Sequence, residues 1–126
     1  MARDVIEQRL FRRLSVQLRV SYVVPSRRGE AFWGEGRTGD LSAGGVLLAL
    51  APMPQAVMAE LIEGDGEIEV VFALAAGEPR IASRCRVVWV RMPEEGSLEV
   101  ALGLRFVDLE ADVRDRIHAF VVAHAQ

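Results

Sequence analysis

Short strand-like segments recur through most of this sequence. The first begins at residue 16, where every second residue is apolar: Val16, Leu18, Val20 and Tyr22. Side chains of a strand point alternately to opposite faces, so this pattern is typical of a strand with one buried face. A chain of 126 residues made largely of such segments can bury them only against one another, which predicts a small all-β domain.

Further segments of this kind follow, separated by turns rich in glycine and proline. The predicted strands cover residues 32–41, 46–50, 68–74, 81–90 and 98–107. The third and fourth of these are expected to form a hairpin. Three glycines within residues 32–41 indicate bulges or close backbone approach: Gly34, Gly36 and Gly39. Residues 56–62 follow two prolines and allow either a short helix or an irregular loop.

Helical spacing replaces alternation after residue 109. One face of the predicted helix carries Val113, Ile117, Phe120, Val121 and His124, and Asp108 is a candidate N-cap. Six short strands followed by a helix favour a six-stranded antiparallel β-barrel, because closure removes exposed strand edges. The helix is expected to cover an open end or a face. The expected single domain has a flexible arginine-rich leader over 1–14, a barrel over 15–107 and a C-terminal helix over 108–124.

Charge is unevenly distributed along the chain. The net charge of −3 argues against a general nucleic-acid binder, since such domains are strongly basic. Residues 1–40 carry eight arginines and five acidic residues, whereas residues 41–126 carry seven and thirteen. All fifteen basic residues are arginine, whose planar guanidinium matches phosphate and guanine. A basic first third on an acidic protein therefore indicates a small anionic ligand.

Several classes of protein and site are not expected. No segment has the roughly 18 consecutive apolar residues of a membrane helix, and no apolar run marks a signal peptide, so we expect a cytoplasmic protein without membrane insertion. Cys85 is the single cysteine, and its alternation with Ile81 and Val87 predicts a buried, unreactive thiol. His118 and His124 lie on different helix faces and cannot share a metal. No catalytic centre is recognisable, so neither enzyme activity nor a cofactor is expected.

The other arginine and tryptophan candidates are given structural roles. Arg80, Arg84 and Arg86 lie at even spacing and predict an outward, charged face of one strand. Trp33 and Trp89 are most simply core or barrel-wall aromatics, the alternative being that one of them borders a ligand.

Two short motifs carry the chemistry of a nucleotide site. The first, RLFRR, places Arg9 and Arg13 four residues apart, with Arg12 between them. The second, DLSAGG at residues 40–45, is a D-x-S-x-x-G turn between two predicted strands. Guanine presents two acceptors, O6 and N7, along one edge, and the fork of an arginine matches either these atoms or the oxygens of a phosphate.

The turn offers complementary groups. Asp40 can accept hydrogen bonds from N1 and N2 of guanine, and Ser42 can bind the ligand or hold the turn through its own backbone. Gly45 allows a positive φ or a close approach of the backbone to the ligand. An R-x-x-x-R pair is common by chance, whereas D-x-S-x-x-G is expected in on the order of one in forty chains of this composition. Only the combination of the two motifs favours a ligand site over a mobile terminus and an ordinary turn.

With these motifs the sequence resembles the PilZ domain family, whose members bind the bacterial second messenger cyclic di-GMP. The resemblance covers nearly the whole chain: RLFRR, VQLRVSYV, DLSAGGVLLAL, VVFAL, RCRVVWV and GLRFVDL, followed by the helix. It implies a six-stranded antiparallel barrel with a C-terminal helix. It also implies that Arg9 and Arg13 bind guanine and phosphate, and that Asp40 and Ser42 hold guanine from the barrel side, with Gly45 completing the turn.

One position departs from the family pattern. Many members have a second arginine immediately before the leader motif, where this chain has Gln8. In the family that position influences whether one ligand or a stacked pair of ligands is held, and Arg12 is a candidate to compensate in part. Gln8, Arg12 and Gly44 are accordingly further candidates for contact with the ligand.

The resulting hypothesis is a cyclic di-GMP receptor in second-messenger signalling. We expect the flexible leader to fold over the ligand, and the barrel to signal to a protein partner in trans. The expected outputs are motility, pili or exopolysaccharide, and the expected state is a monomer or homodimer. The alternative is a protein-interaction domain of the same fold that binds no nucleotide.

Overall fold

The chain folds around one antiparallel sheet, seen in a computed structural model that describes residues 13–26 and 29–124. Its strands are β1 (Leu14–Ser15), β2 (Arg19–Val24), β3 (Phe32–Leu41), β4 (Gly45–Leu50), β5 (Glu67–Phe72), β6 (Ile81–Arg91) and β7 (Val100–Val107). Helix α1 (Gln55–Glu63) connects β4 to β5, and helix α2 (Ala111–His124) follows β7. Of the two readings left open for residues 56–62, the helix is therefore the correct one.

The sheet closes on itself. The strand order is β1-β3-β2-β5-β6-β7-β4, and β4 pairs back onto β3. Strands β2 to β7 thus form a closed six-stranded antiparallel barrel, and the two-residue β1 pairs with the far end of β3. The expected fold, a six-stranded antiparallel barrel with a C-terminal helix, is confirmed. Residues 68–74 and 81–90 do form a hairpin, since β5 pairs with β6.

The first predicted strand begins later than expected: residues 16–18 lie between β1 and β2 and belong to neither strand. Both strands pair with β3, but the side chain of Thr38 is inserted where the ladder breaks. The Thr38 hydroxyl accepts a hydrogen bond from the backbone N–H of Leu18, at 2.9 Å, and donates one to the carbonyl of Val16. A fully buried hydroxyl is satisfied in this way, because it replaces the missing backbone partners.

The barrel interior holds the residues that the alternation predicts. Val20 and Tyr22 of β2 are buried, as are Ile117 and Val121 of α2, which packs against the same core. Cys85 is 1 % exposed, and burial raises the pKa of its thiol to about 12. The predicted burial is therefore confirmed, and the raised pKa disfavours the reactive thiolate near neutral pH.

The residues that precede α2 do not have the arrangement that the sequence predicts. The helix begins at Ala111, and the N–H of Arg114 bonds to the carbonyl of Glu110 at 2.9 Å. Asp108 precedes this turn and adopts a left-handed backbone with φ of 56°, so the prediction that it is the N-cap is wrong. His124 belongs to the predicted apolar face but is exposed, with its ring centroid 4.3 Å from that of Phe120.

Candidate functional site

An open cavity lies on the outside of the barrel where β3, β4, β6 and β7 meet. Its walls include Arg13, the turn at residues 40–45, Trp89 and Arg105. Its volume of about 190 Å³ is below the roughly 300 Å³ or more of an enclosed ligand pocket. The cavity is therefore a shallow, open surface depression and not an enclosed pocket.

The turn between β3 and β4 is held by its own serine. The Ser42 hydroxyl accepts hydrogen bonds from the N–H groups of Gly44 and Gly45, both at 3.2 Å. The N–H of Ser42 also bonds to the Gly45 carbonyl at 2.9 Å, and the N–H of Phe106 bonds to the Gly44 carbonyl at 3.1 Å. Of the two roles considered for Ser42, its contacts here are those of a turn-holding residue. The turn is fixed both internally and to β7.

Gly45 is required by a close approach of two strands. Its φ lies outside the left-handed region, and a Cβ at this position would collide with the carbonyl oxygen of Leu104 on β7. A positive φ is therefore not the reason for glycine here. The close approach that the structure shows is to β7, whereas the approach considered from the sequence was one to a ligand. Gly39 in β3 has a milder restriction, because its Cβ would lie 2.6 Å from the side chain of Leu47.

A β-bulge in β6 brings Trp89 to the cavity. Val87 pairs with Leu104 and Trp89 with Gly103, so Val88 is an extra residue on β6. Bulges redirect side chains in this way. Val88 and Trp89 are 49 % and 46 % exposed, and the indole lies directly over Gly103, where a Cβ would overlap it.

The two tryptophans are therefore wall residues of different kinds. Trp33 is 73 % exposed and is not part of the cavity lining, whereas Trp89 borders it. Of the two positions expected for the tryptophans, core or barrel wall, the structure shows the barrel wall. Neither ring is buried in the core. The guanidinium of Arg91 lies 5.9 Å from the centroid of the Trp89 ring, a distance at which cation–π attraction restrains the indole.

Charged groups of both signs face the cavity. Arg13 and Arg105 are exposed residues of its lining, and the half-buried Asp40 lies at the end of β3, where the turn motif begins. Within the residues that the structure describes, the Asp40 carboxylate has no hydrogen-bond or ion-pair partner. Such a carboxylate can accept hydrogen bonds from the donors of a ligand, for example the N1–H and N2–H groups of guanine.

The structure brings together the candidates of the turn and one of the leader. Arg13, Asp40, Ser42, Gly44 and Gly45 all line the same cavity. The leader candidates Gln8, Arg9 and Arg12 lie outside the described residues.

Sequence reasoning did not single out Arg105, since one outward arginine on a strand carries no distinguishing pattern. Trp89 was considered only as an alternative, because the bulge that turns it outward is not visible in the sequence.

Other expectations concern charge and metals. Arg84 and Arg86 are exposed residues of β6, as predicted, whereas the exposed Arg80 lies just before that strand. Arg84 lies 3.5 Å from both Glu67 and Asp108. Among residues 13–26 and 29–124, no three or more His, Cys, Asp or Glu side chains are arranged to hold a metal ion. The helices in this part of the chain are also too short or too polar to cross a bilayer.

One family model matches this chain, and several solved structures share its fold. The family model for the PilZ domain matches residues 7–123. Among solved structures, the Bacillus subtilis inhibitor of motility MotI/DgrA superposes with a TM-score of 0.67 at 15% identity, covering 90% of this chain and 49% of that chain. The K. pneumonia MrkH–c-di-GMP complex gives a TM-score of 0.66 at 16% identity, covering 89% and 50%.

A third solved structure is similar over nearly its full length. The PilZ domain with c-di-GMP of YcgR from Escherichia coli gives a TM-score of 0.63 at 11% identity, covering 90% of this chain and 88% of that chain. This chain spans about half the length of the MotI/DgrA and MrkH chains it matches. A search of curated protein sequences finds no match.

Proposed function

Because the chain belongs to the PilZ domain family, we propose that it is a receptor that binds cyclic di-GMP in the cavity beside residues 40–45. The observation that carries the proposal is the convergence of two sequence motifs on one site. Arg13 of the leader motif and Asp40 and Ser42 of the turn motif line the same cavity, although they lie on different strands and segments.

Each group at the site has a distinct task in this proposal. The Asp40 carboxylate accepts hydrogen bonds from N1–H and N2–H of one guanine. Arg13, together with Arg9, directs its guanidinium fork to guanine O6 and N7 or to a phosphate. Ser42 fixes the turn and thereby the position of Asp40, and the absent side chain of Gly45 lets β4 lie against β7.

Trp89 adds a stacking surface. Its indole is about half exposed beside the turn, and a purine base can stack on such a face. Base–aromatic stacking contributes about 1–3 kcal/mol by alanine substitution. We therefore expect Trp89→Ala to weaken binding of the dinucleotide while leaving the hydrogen-bonding groups of the turn intact.

Ordering of the leader is the proposed signal. A charged segment that folds over a bound ligand changes the surface that the barrel presents. The protein then acts as an adaptor that signals to a protein partner, and not as an enzyme, in keeping with the receptor role of PilZ domains. Amide hydrogen exchange of residues 1–15 is expected to slow on ligand addition, and identical exchange with and without ligand would reject this switch.

The direct test is a calorimetric titration with cyclic di-GMP, beside GTP and cyclic GMP. We expect saturable binding of the cyclic dinucleotide only. Arg13→Ala is expected to weaken it by about 2–4 kcal/mol, the scale of a buried arginine anchor. Arg114→Ala, an exposed arginine on α2, is the matched control. An unchanged titration of Arg13→Ala removes that residue from the site.

A second candidate function rests on Gln8. The chain has glutamine where many family members have a second arginine. A domain that lacks this arginine and does not bind the nucleotide would serve only as a protein-interaction module. Absence of cyclic di-GMP binding at ligand concentrations up to about 1 mM, where affinity corresponds to about 4 kcal/mol, would favour this alternative over the receptor.

A further inference from the structure

Two arginines stand side by side on the outer surface of β6 and β7. Arg86 and Arg105 are direct partners across the two strands, and both side chains are exposed. Like charges placed directly opposite each other on a sheet are destabilising. A negative charge beside such a pair, from the protein or from a ligand, relieves this repulsion.

Carboxylates pair directly with some arginines but not with these two. Glu67 on β5 is the cross-strand partner of Arg86, but its carboxylate lies 3.5 Å from Arg84 instead. Arg37 makes a two-pronged ion pair with Glu99, and Arg116 lies 3.8 Å from Glu78. Neither Arg86 nor Arg105 forms a hydrogen bond or ion pair through its side chain with any other residue that the structure describes. Carboxylates are not scarce, because the chain has more acidic than basic residues.

Arg105 is also the member of the pair that reaches the proposed ligand site. It is the partner of Gly45 across β4 and β7, and it lines the cavity together with Asp40 and Trp89. Because Gly45 has no side chain, nothing on β4 at that position separates the Arg105 guanidinium from the turn. The unpaired positive charge is therefore placed at the β7 wall of the cavity.

We propose that Arg105 binds a phosphate of the ligand from the β7 wall, with Arg86 raising the positive potential beside it. The proposal rests on the cyclic di-GMP receptor function proposed above. A cyclic dinucleotide carries two phosphodiesters, so a cation on β7 can bind one while the leader binds the other. The guanidinium fork matches two phosphate oxygens. The leader has an uncharged residue, Gln8, where many family members have an arginine. Arg105 thereby supplies from the barrel a positive charge that the leader lacks.

The test is a titration of cyclic di-GMP with graded changes of charge at one position. Arg105→Gln is expected to weaken binding about tenfold, the scale of one charge-assisted hydrogen bond to a phosphate, and Arg105→Glu more strongly. Arg86→Gln is expected to cause a smaller loss, of about threefold, because it acts only through the potential. Arg114→Gln on α2 removes the same charge away from the cavity and is expected to leave the affinity unchanged.

Salt dependence separates a phosphate contact from a structural role. Raising the salt concentration from about 0.05 to 0.5 M is expected to weaken wild-type binding more than binding by Arg105→Gln, because the variant has lost one screened contact. The thermal midpoint of Arg105→Gln is expected to equal or exceed that of the wild type, since a like-charge contact is removed.

The outcomes distinguish this inference from the function it rests on. If the wild type binds and Arg105→Gln behaves as Arg114→Gln does in affinity and salt dependence, the role of Arg105 is overturned while the receptor function stands. If the wild type itself does not bind, both are overturned.

Discussion

The barrel interior and the external cavity are built on opposite principles. Leu48, Phe72 and Leu102 are buried almost completely and fill the interior with side chains. The cavity exists because side chains are missing at Gly45 and Gly103, so that β4 approaches β7 closely and the indole of Trp89 rests on bare backbone. The interior stabilises the fold through burial, and the cavity presents a few fixed groups to a ligand. A substitution confined to one region should therefore leave the property of the other unchanged.

The largest effect is expected from a cavity cut into the interior. Phe72 is 2 % exposed, and its ring centroid lies 6.3 Å from that of Phe106. Phe72→Ala is expected to lower the free energy of unfolding by about 3–5 kcal/mol, through lost burial and the void left behind. Urea denaturation measures this change.

The same variant tests the separation of the two regions. At a temperature and urea concentration where Phe72→Ala is still folded, its affinity for cyclic di-GMP is expected to match that of the wild type. A folded variant with weakened binding would show that interior packing also determines the shape of the cavity.

A smaller effect, on both properties, is expected where the two regions meet. A Cβ on Gly45 would collide with the backbone carbonyl of Leu104, and backbone cannot move aside as a side chain can. Gly45→Ala is expected to cost about 1–3 kcal/mol of stability and to weaken binding, because β4 must separate from β7. Gly39→Ala is the control, since its Cβ would meet only the flexible side chain of Leu47. Equal losses in the two variants would contradict this account.

The sequence predicted the interior well, for a physical reason. A strand with one buried face must alternate, so the period of two reveals β2, in which Val20 and Tyr22 are buried. Strand β3 was also placed correctly, at residues 32–41. The interruption between β1 and β2 was not predicted, because the Thr38 hydroxyl that replaces the ladder contacts resembles any other polar residue of a strand. Asp108 was misassigned because an aspartate is favoured both at N-caps and in the left-handed conformation it adopts.

The sequence predicted only part of the candidate site. Residues 40–45 are contiguous, so their motif is visible in one dimension. Trp89 and Arg105 reach the cavity through the pairing of β6, β7 and β4 and through a bulge. The apolar pattern specifies which face of a strand is buried. It does not reveal where a bulge inserts an extra residue, nor which exposed residues of separate strands become neighbours. The exposed side chains that complete the site are therefore those that sequence periodicity constrains least.

A still smaller change in stability is expected at the floor of the cavity. In Gly103→Ala the added Cβ would overlap the Trp89 indole, which can rotate away, and glycine itself is unfavourable within a strand. The net change in the free energy of unfolding is expected to stay within about 1 kcal/mol. The displaced indole should lose its stacking position, which is expected to weaken binding by about 1–3 kcal/mol.

Fluorescence gives an independent measurement of the same displacement. In a Trp33→Phe background, Trp89 is the remaining tryptophan of the chain, and Gly103→Ala is expected to shift its emission. An unchanged emission with unchanged binding would show that the indole has room to stay in place.

The smallest effect is expected from an ion pair on the outer surface. Arg37 donates a hydrogen bond from Nη2 to Oε1 of Glu99 at 2.6 Å, and this bond lowers the pKa of Glu99. A carboxylate with a lowered folded-state pKa stabilises the fold above its unfolded pKa of about 4.3, and the contribution disappears as pH falls through the folded pKa. The stability difference between wild type and Glu99→Gln should therefore be largest near pH 7 and shrink below about pH 4.

Urea midpoints at pH 7, 5 and 3 measure this difference, and a gap that widens toward acid would reverse the sign argued here. Binding of cyclic di-GMP at pH 7 is expected to be equal in Glu99→Gln and the wild type, since neither Arg37 nor Glu99 is among the residues that line the cavity. The variant thereby measures the contribution of an arginine that is paired within the protein. Such an arginine stabilises the fold slightly and does not affect ligand binding. Arg105 lacks such a carboxylate partner among the described residues. Its substitution is therefore expected to weaken binding while stability is retained, which is the opposite of the result expected at Glu99. This difference distinguishes a ligand-binding arginine from a structural one.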